Sequence, residues 1–152
     1  MKKIFIIFGI AFLLILISFF IYGIASGPRL FKDHEKRTIK IGKVKYSLYV
    51  SDTESKRMQG LSDVAKMPKK QGMLFVFEKA DTYGFWMKDM KFPLDMIFLR
   101  ENQIVDLKQN ILESSFPQIF YPISAVDAVI ELNTGEIQKS GVHIGDVLRV
   151  SK

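Results

Sequence analysis

The residues able to do chemistry concentrate in Gly84-Phe85-Trp86-Met87-Lys88-Asp89-Met90 and in the apolar run Pro93-Leu94-Asp95-Met96-Ile97-Phe98. An indole at Trp86 beside the ammonium of Lys88, with the Asp95 carboxylate on the next segment, would form a wall that stacks and hydrogen-bonds a polar ligand. Asp95 is flanked by side chains that belong in a core, and so is Glu131 in Ala128-Val129-Ile130-Glu131-Leu132-Asn133. A carboxylate in such surroundings must be paired or hydrogen-bonded, or else its pKa must rise. If Asp95 and Glu131 faced one cleft, they would make an acid/base pair suited to a hydrolase or lyase acting on an envelope carbohydrate or peptide. The opposing reading has them tied to Lys88 and Arg57 as structural ion pairs.

The ligand-binding candidates are therefore Trp86, Lys88, Asp95 and Glu131. Asp95 and Glu131 are the catalytic alternative, and the leading reading assigns no catalytic residue. Six methionines lie beyond the first residue, and Met87-x-x-Met90 together with His143 would offer thioether and imidazole ligands to Cu(I) where the backbone bends. The competing reading makes the methionines gap-fillers of a core and His143 an ordinary surface histidine. No Ser-centred nucleophile elbow, HExxH, Gly-rich phosphate loop or EF-hand loop occurs, and no cofactor is expected. With two histidines and no cysteine, a multi-histidine or Cys-ligated metal site within one chain is excluded.

The elements that must position these residues begin after an apolar segment. Residues 4–25 hold 19 apolar side chains, two Gly and one Ser, preceded by Lys2-Lys3 and with no charge beyond them until Arg29. Twenty-two helical residues reach about 33 Å, enough to cross a bilayer core of roughly 30 Å. The run is apolar on every face, which a soluble helix is not. It is expected to be an uncleaved signal anchor over 1–25, with cleavage near Ala25 and secretion as the alternative. Lys2 and Lys3 hold the short amino end inside, whereas Arg29, Lys32, Lys36 and Arg37 on the other side argue against export. Long domains respond weakly to flanking charge, so the expectation is a single-pass protein with its C-terminal part outside the cytoplasm.

Residues 26–37 read as a linker and 38–152 as a single domain. Removing Lys2 and Lys3 from the overall charge of +6 leaves +4 for the chain beyond the anchor. That is enough for a weak attraction to an envelope polymer and too scattered for nucleic-acid binding. A protein of the envelope is the other candidate partner.

Ile39 and Ile41 alternate in one parity and Val44, Tyr46, Leu48 and Val50 in the other, so a two-residue turn at Gly42-Lys43 pairs Ile41 with Val44 and Ile39 with Tyr46. Ser51 and Glu54 stand at capping-box spacing before a short helix that stops at Gly60. Strands are expected over Gly72–Phe77, Gly84–Lys88, Leu94–Leu99, Ile104–Leu107, Val126–Leu132 and Val147–Val150. A break at Asn133-Thr134-Gly135 precedes a short turn or helix ending near Gly141. Many short strands with one or two short helices point to a mainly-β (α+β) domain of sandwich- or barrel-like type.

Several pieces, taken in order, resemble the family known as domain of unknown function 192. They are Arg57-Met58-Gln59-Gly60-Leu61, Gly72-Met73-Leu74-Phe75-Val76-Phe77, Phe85-Trp86-Met87-Lys88-Asp89-Met90, Pro93-Leu94-Asp95-Met96-Ile97-Phe98, Val129-Ile130-Glu131-Leu132-Asn133-Thr134-Gly135 and Ile144-Gly145-Asp146-Val147. The resemblance implies a compact, mainly-β domain, often behind a signal peptide or anchor. It implies no activity, cofactor or catalytic residue. The expectation is a membrane-anchored binding module, with the hydrolase or lyase and the copper-handling module as alternatives.

Overall fold

The computed structural model describes residues 31–149. The apolar run expected to cross a membrane, residues 26–30 of the expected linker and residues 150–152 lie outside them. Among the described residues no helix is long and apolar enough to span a bilayer.

The β-hairpin is as the alternation demands. β1 (Lys36–Ile41) and β2 (Val44–Ser51) are antiparallel with Ile41 opposite Val44 and Ile39 opposite Tyr46. β1 thus begins inside the segment expected to be linker. Gly42 occupies the turn at φ 55°, where an added Cβ would strike the Ser140 carbonyl. A short helix, α1 (Glu54–Gln59), comes next. Its cap is Thr53, whose side chain accepts from the Lys56 amide, and not Ser51 as the spacing suggests. Ser51 is still in the strand, where its buried hydroxyl donates to the Met73 sulfur at 3.1 Å. The helix stops at Gly60, as expected, with φ 49°.

β3 (Gln71–Asp81) returns parallel to β2. β4 (Phe85–Trp86) is only two residues, because the chain turns at Lys88-Asp89, with Asp89 at φ 58° and the Met90 amide donating to the Met87 carbonyl at 3.3 Å. The expected strand alternation through Lys88 therefore fails, and Met87 and Met90 are both buried. β5 (Leu94–Arg100) is buried along both faces, and β6 (Gln103–Ile111) pairs back onto it through the turn at Glu101 and Asn102, both at positive φ. A 3-10 turn (Glu113–Ser115), β7 (Ile119–Phe120), β8 (Val126–Asn133) and α2 (Glu136–Ser140) complete the elements among the described residues. The expected last strand is reduced to a bridge from Val147 to Gln103, with the Asp146 carbonyl accepting from the Ile104 amide at 2.8 Å.

The strands form one mixed sheet in the order β1-β2-β3-β8-β5-β6, and β4 pairs with β7 in a separate ribbon. The domain is mainly β with two short helices, and its sandwich- or barrel-like character narrows to an open six-stranded sheet accompanied by a ribbon. Both faces of the sheet are apolar. On one, Tyr46, Leu48, Leu74, Ile97, Ile130 and Ile137 join a single cluster. The other face carries Met73, Phe75, Met96, Phe98 and Val129, which alternate with the first set along the same strands. Phe85 of the ribbon meets Phe75 and Phe98 edge-on at 5.2 and 5.9 Å between centroids. The ribbon therefore covers this second face.

Candidate functional site

The register of β5 against β8 separates the two suspect carboxylates. Asp95 stands opposite Leu132, and Met96 stands opposite Glu131. Directly opposed residues share a face, so Asp95 and Glu131 project from opposite sides of the sheet. The acid/base pair is corrected by this geometry: no single cleft holds both groups. The ion-pair reading fails as well. Arg57 donates through one nitrogen to the carbonyls of Asp52 and Val76, each at 2.8 Å, and Lys88 is exposed in its turn.

Asp95 is the hydrogen-bonded member of the pair. It is 1% exposed, and its two oxygens accept from the amides of Asn110 (3.0 Å) and Ile137 (2.9 Å). It therefore fastens the start of α2 and the far end of β6 to β5. Beside it Tyr46 donates to a Glu136 oxygen at 2.7 Å, while Lys139 reaches the other oxygen at 2.8 Å. Burial pushes the Glu136 carboxyl up, but those two donors outweigh it and hold its pKa below the usual value. This side of the sheet is a structural clasp.

Glu131 is the unpaired member. Its neighbours in register are Met73 on β3 and Met96 on β5, and no side chain among the described residues hydrogen-bonds it. Burial alone pushes its pKa up to about 8. Its carboxyl lines a cavity of about 620 Å³ that reaches from the core to the exposed side chains of Met58 and Trp86.

Three parts of the chain build that cavity. The sheet supplies Glu131, Phe75 and Phe77; the ribbon supplies Phe85 and Trp86; α1 and the residues after it supply Arg57, Gly60 and Leu61. Arg57 lies over the Phe77 ring at 5.2 Å, and Tyr83 stacks on Phe77 with centroids 3.6 Å apart. The helix is thus fixed to β3 through Arg57, which lies on the Phe77 ring and donates to the Val76 carbonyl. Gly84 lies against the Ile119 and Tyr121 side chains, where an added Cβ would sit 2.7 and 2.9 Å from their atoms. Glycine lets the two short strands approach there.

Of the four ligand-binding candidates, the structure brings Trp86 and Glu131 to one cavity. It leaves Asp95 on the opposite face, and Lys88 does not line the cavity. Sequence reasoning missed Arg57 as a building block of the site, as well as Tyr83 and Phe77; the Arg57-Met58-Gln59-Gly60-Leu61 block was the available signal. The copper set is not assembled. Met90 lines the cavity, whereas His143 is exposed on the segment that pairs with the start of β6, its amide donating to Asp146 at 2.9 Å. Among the described residues no group of three or more His, Cys, Asp or Glu is placed to hold a metal ion.

A family model for DUF192, described as an uncharacterized ACR, matches residues 37–150. The chain belongs to the DUF192 family. Among solved structures, a Sinorhizobium meliloti 1021 protein described as a candidate transcription regulator is 30% identical to this DUF192 domain. The match covers 76% of this chain and 94% of that one, with a TM-score of 0.71. A protein of unknown function from Novosphingobium aromaticivorans DSM 12444 is 18% identical, covers 83% of this chain and all of its own, and has a TM-score of 0.65; it shares the fold. No curated protein matches the DUF192 chain.

Proposed function

We propose that this DUF192 protein is a membrane-anchored, extracytoplasmic binding module that takes a small ligand into the cavity between α1, the ribbon and the sheet. One observation carries the reading: an aromatic-walled cavity with an unpartnered buried carboxyl, Glu131, at its inner end. About 620 Å³ falls within the roughly 300–1,000 Å³ typical of small-molecule sites, which likewise combine apolar walls with a few placed polar groups. Leaving a carboxyl without a partner in a core costs several kcal/mol, a cost that a ligand able to pair with it would offset. The anchor and the location outside the cytoplasm rest on the apolar run at residues 4–25 and its two preceding lysines.

Full-length protein in detergent micelles, titrated with small aromatic probes and followed by amide NMR, tests the site. The expected result is saturable shifts at Gly60, Gly84 and the indole N–H of Trp86, the one tryptophan of the chain. Saturable shifts confined to other parts of the molecule, or none at all, would reject it.

A further inference from the structure

We infer that the ligand is a cation: a protonated amine on an apolar stem, its ammonium seated on Glu131 and its stem against the rings of Phe75, Phe85 and Trp86. This deepens the proposed binding function and rests on it.

The geometry favours an amine in three ways. First, Glu131 is 5% exposed and has no hydrogen-bond donor among the described residues, so both oxygens are left for the ligand. An ammonium brings three donors and no acceptor, whereas an alcohol brings a single donor. Second, the faces of aromatic rings attract positive charge, and five aromatic side chains line this cavity. The lining already uses that attraction, in Arg57 over Phe77. Third, the remaining ionic lining groups balance. Glu54 and Arg57 come from α1, and Glu78 and Lys79 come from the end of β3, so no net positive field repels an incoming cation. Tyr83 is the other titratable group of the lining. The strands flanking Glu131 present Met73 and Met96, which carry no charge.

Binding is therefore linked to a proton. Glu131 is protonated below about pH 8, and an ammonium requires the carboxylate. Binding expels a proton, and affinity rises about tenfold per pH unit up to pH 8, then levels while the amine stays protonated. A ligand that accepts a hydrogen bond from the neutral acid would show the reverse.

The test compares benzylamine with benzyl alcohol on full-length protein in detergent micelles between pH 6 and 8.5, read by the same cavity amides. Benzylamine should bind at least tenfold more tightly than the alcohol at pH 8, with an affinity that climbs steadily from pH 6. Glu131→Gln should abolish the preference. A carbon-13 titration of the wild-type Glu131 carboxyl, which needs no variant, should show its pKa falling by one unit or more in saturating benzylamine. Equal or tighter binding of the alcohol at the cavity amides, an amine affinity flat or falling with pH, an unmoved Glu131 titration, or a preference surviving Glu131→Gln would each overturn the amine proposal while leaving the cavity as the site. If neither compound shifts the cavity amides, both proposals fall.

Discussion

Glu131 and Asp95 occupy neighbouring strands, are both buried, and have opposite consequences for stability. Glu131 titrates near 8 in the fold against 4.5 for a free side chain, so the folded chain binds the proton more tightly than the unfolded chain. The fold is unpenalised below pH 4.5, loses stability as pH rises between 4.5 and 8, and bears the whole penalty above that. Glu131→Gln removes the titrating group. Thermal unfolding of the variant should match the wild type near pH 4.5 and exceed it above pH 8, by a difference on the order of a few kcal/mol. Asp95→Asn should act the other way. Its amide nitrogen would face one of the two backbone N–H groups that the carboxylate now receives, costing about 2–3 kcal/mol in urea denaturation. Ligand affinity in the cavity should stay unchanged, since Asp95 lies on the far side of the sheet. Both carboxylates stand out in the sequence as anomalies because their neighbours are apolar. Which of them is paired is not legible there, because that depends on the register between strands more than thirty residues apart.

Single elements are legible where their information is local. The hairpin register comes from two runs of opposite parity around a glycine, and β5 from six consecutive buried side chains. α1 is legible as a helix but not as the roof of a site, because its placement depends on Arg57 reaching the Val76 carbonyl of β3, nineteen residues further along the chain. Alternation alone overextends the ribbon, since nothing local in Phe85–Lys88 shows that Asp89 takes a left-handed conformation. Arg57 is where the element can be tested. Arg57→Lys keeps the charge but cannot hold both carbonyls while lying flat on Phe77. Hydrogen exchange of the amides after Thr53 should quicken roughly tenfold in that variant, matching a loss of about 1–2 kcal/mol, while the core amides of β8 remain as protected as in the wild type.

For the whole molecule, the succession of short strand segments points to a mainly-β domain behind an apolar segment, and the observed strands and two short helices agree with the first half of that statement. The cavity is beyond sequence reading, because it forms only when residues from α1, β3, β4 and β8 meet. If residues 4–25 anchor the chain with its domain outside, protease added to intact spheroplasts should degrade the domain, and fractionation should recover the full-length chain with membranes. Protection of the domain in intact spheroplasts, with digestion only after lysis, would reverse the orientation.

The place of β8 between β3 and β5 ties assembly to the order of synthesis. Until residues 126–133 have emerged, the nascent polypeptide holds two unconnected patches, β1-β2-β3 and β5-β6, each with an unfilled edge. The last long strand closes both at once and delivers Glu131 in the same act. A truncation ahead of Val126 would thus leave two sticky halves rather than a smaller stable protein, and the ligand pocket would come into being only at the final stage of maturation.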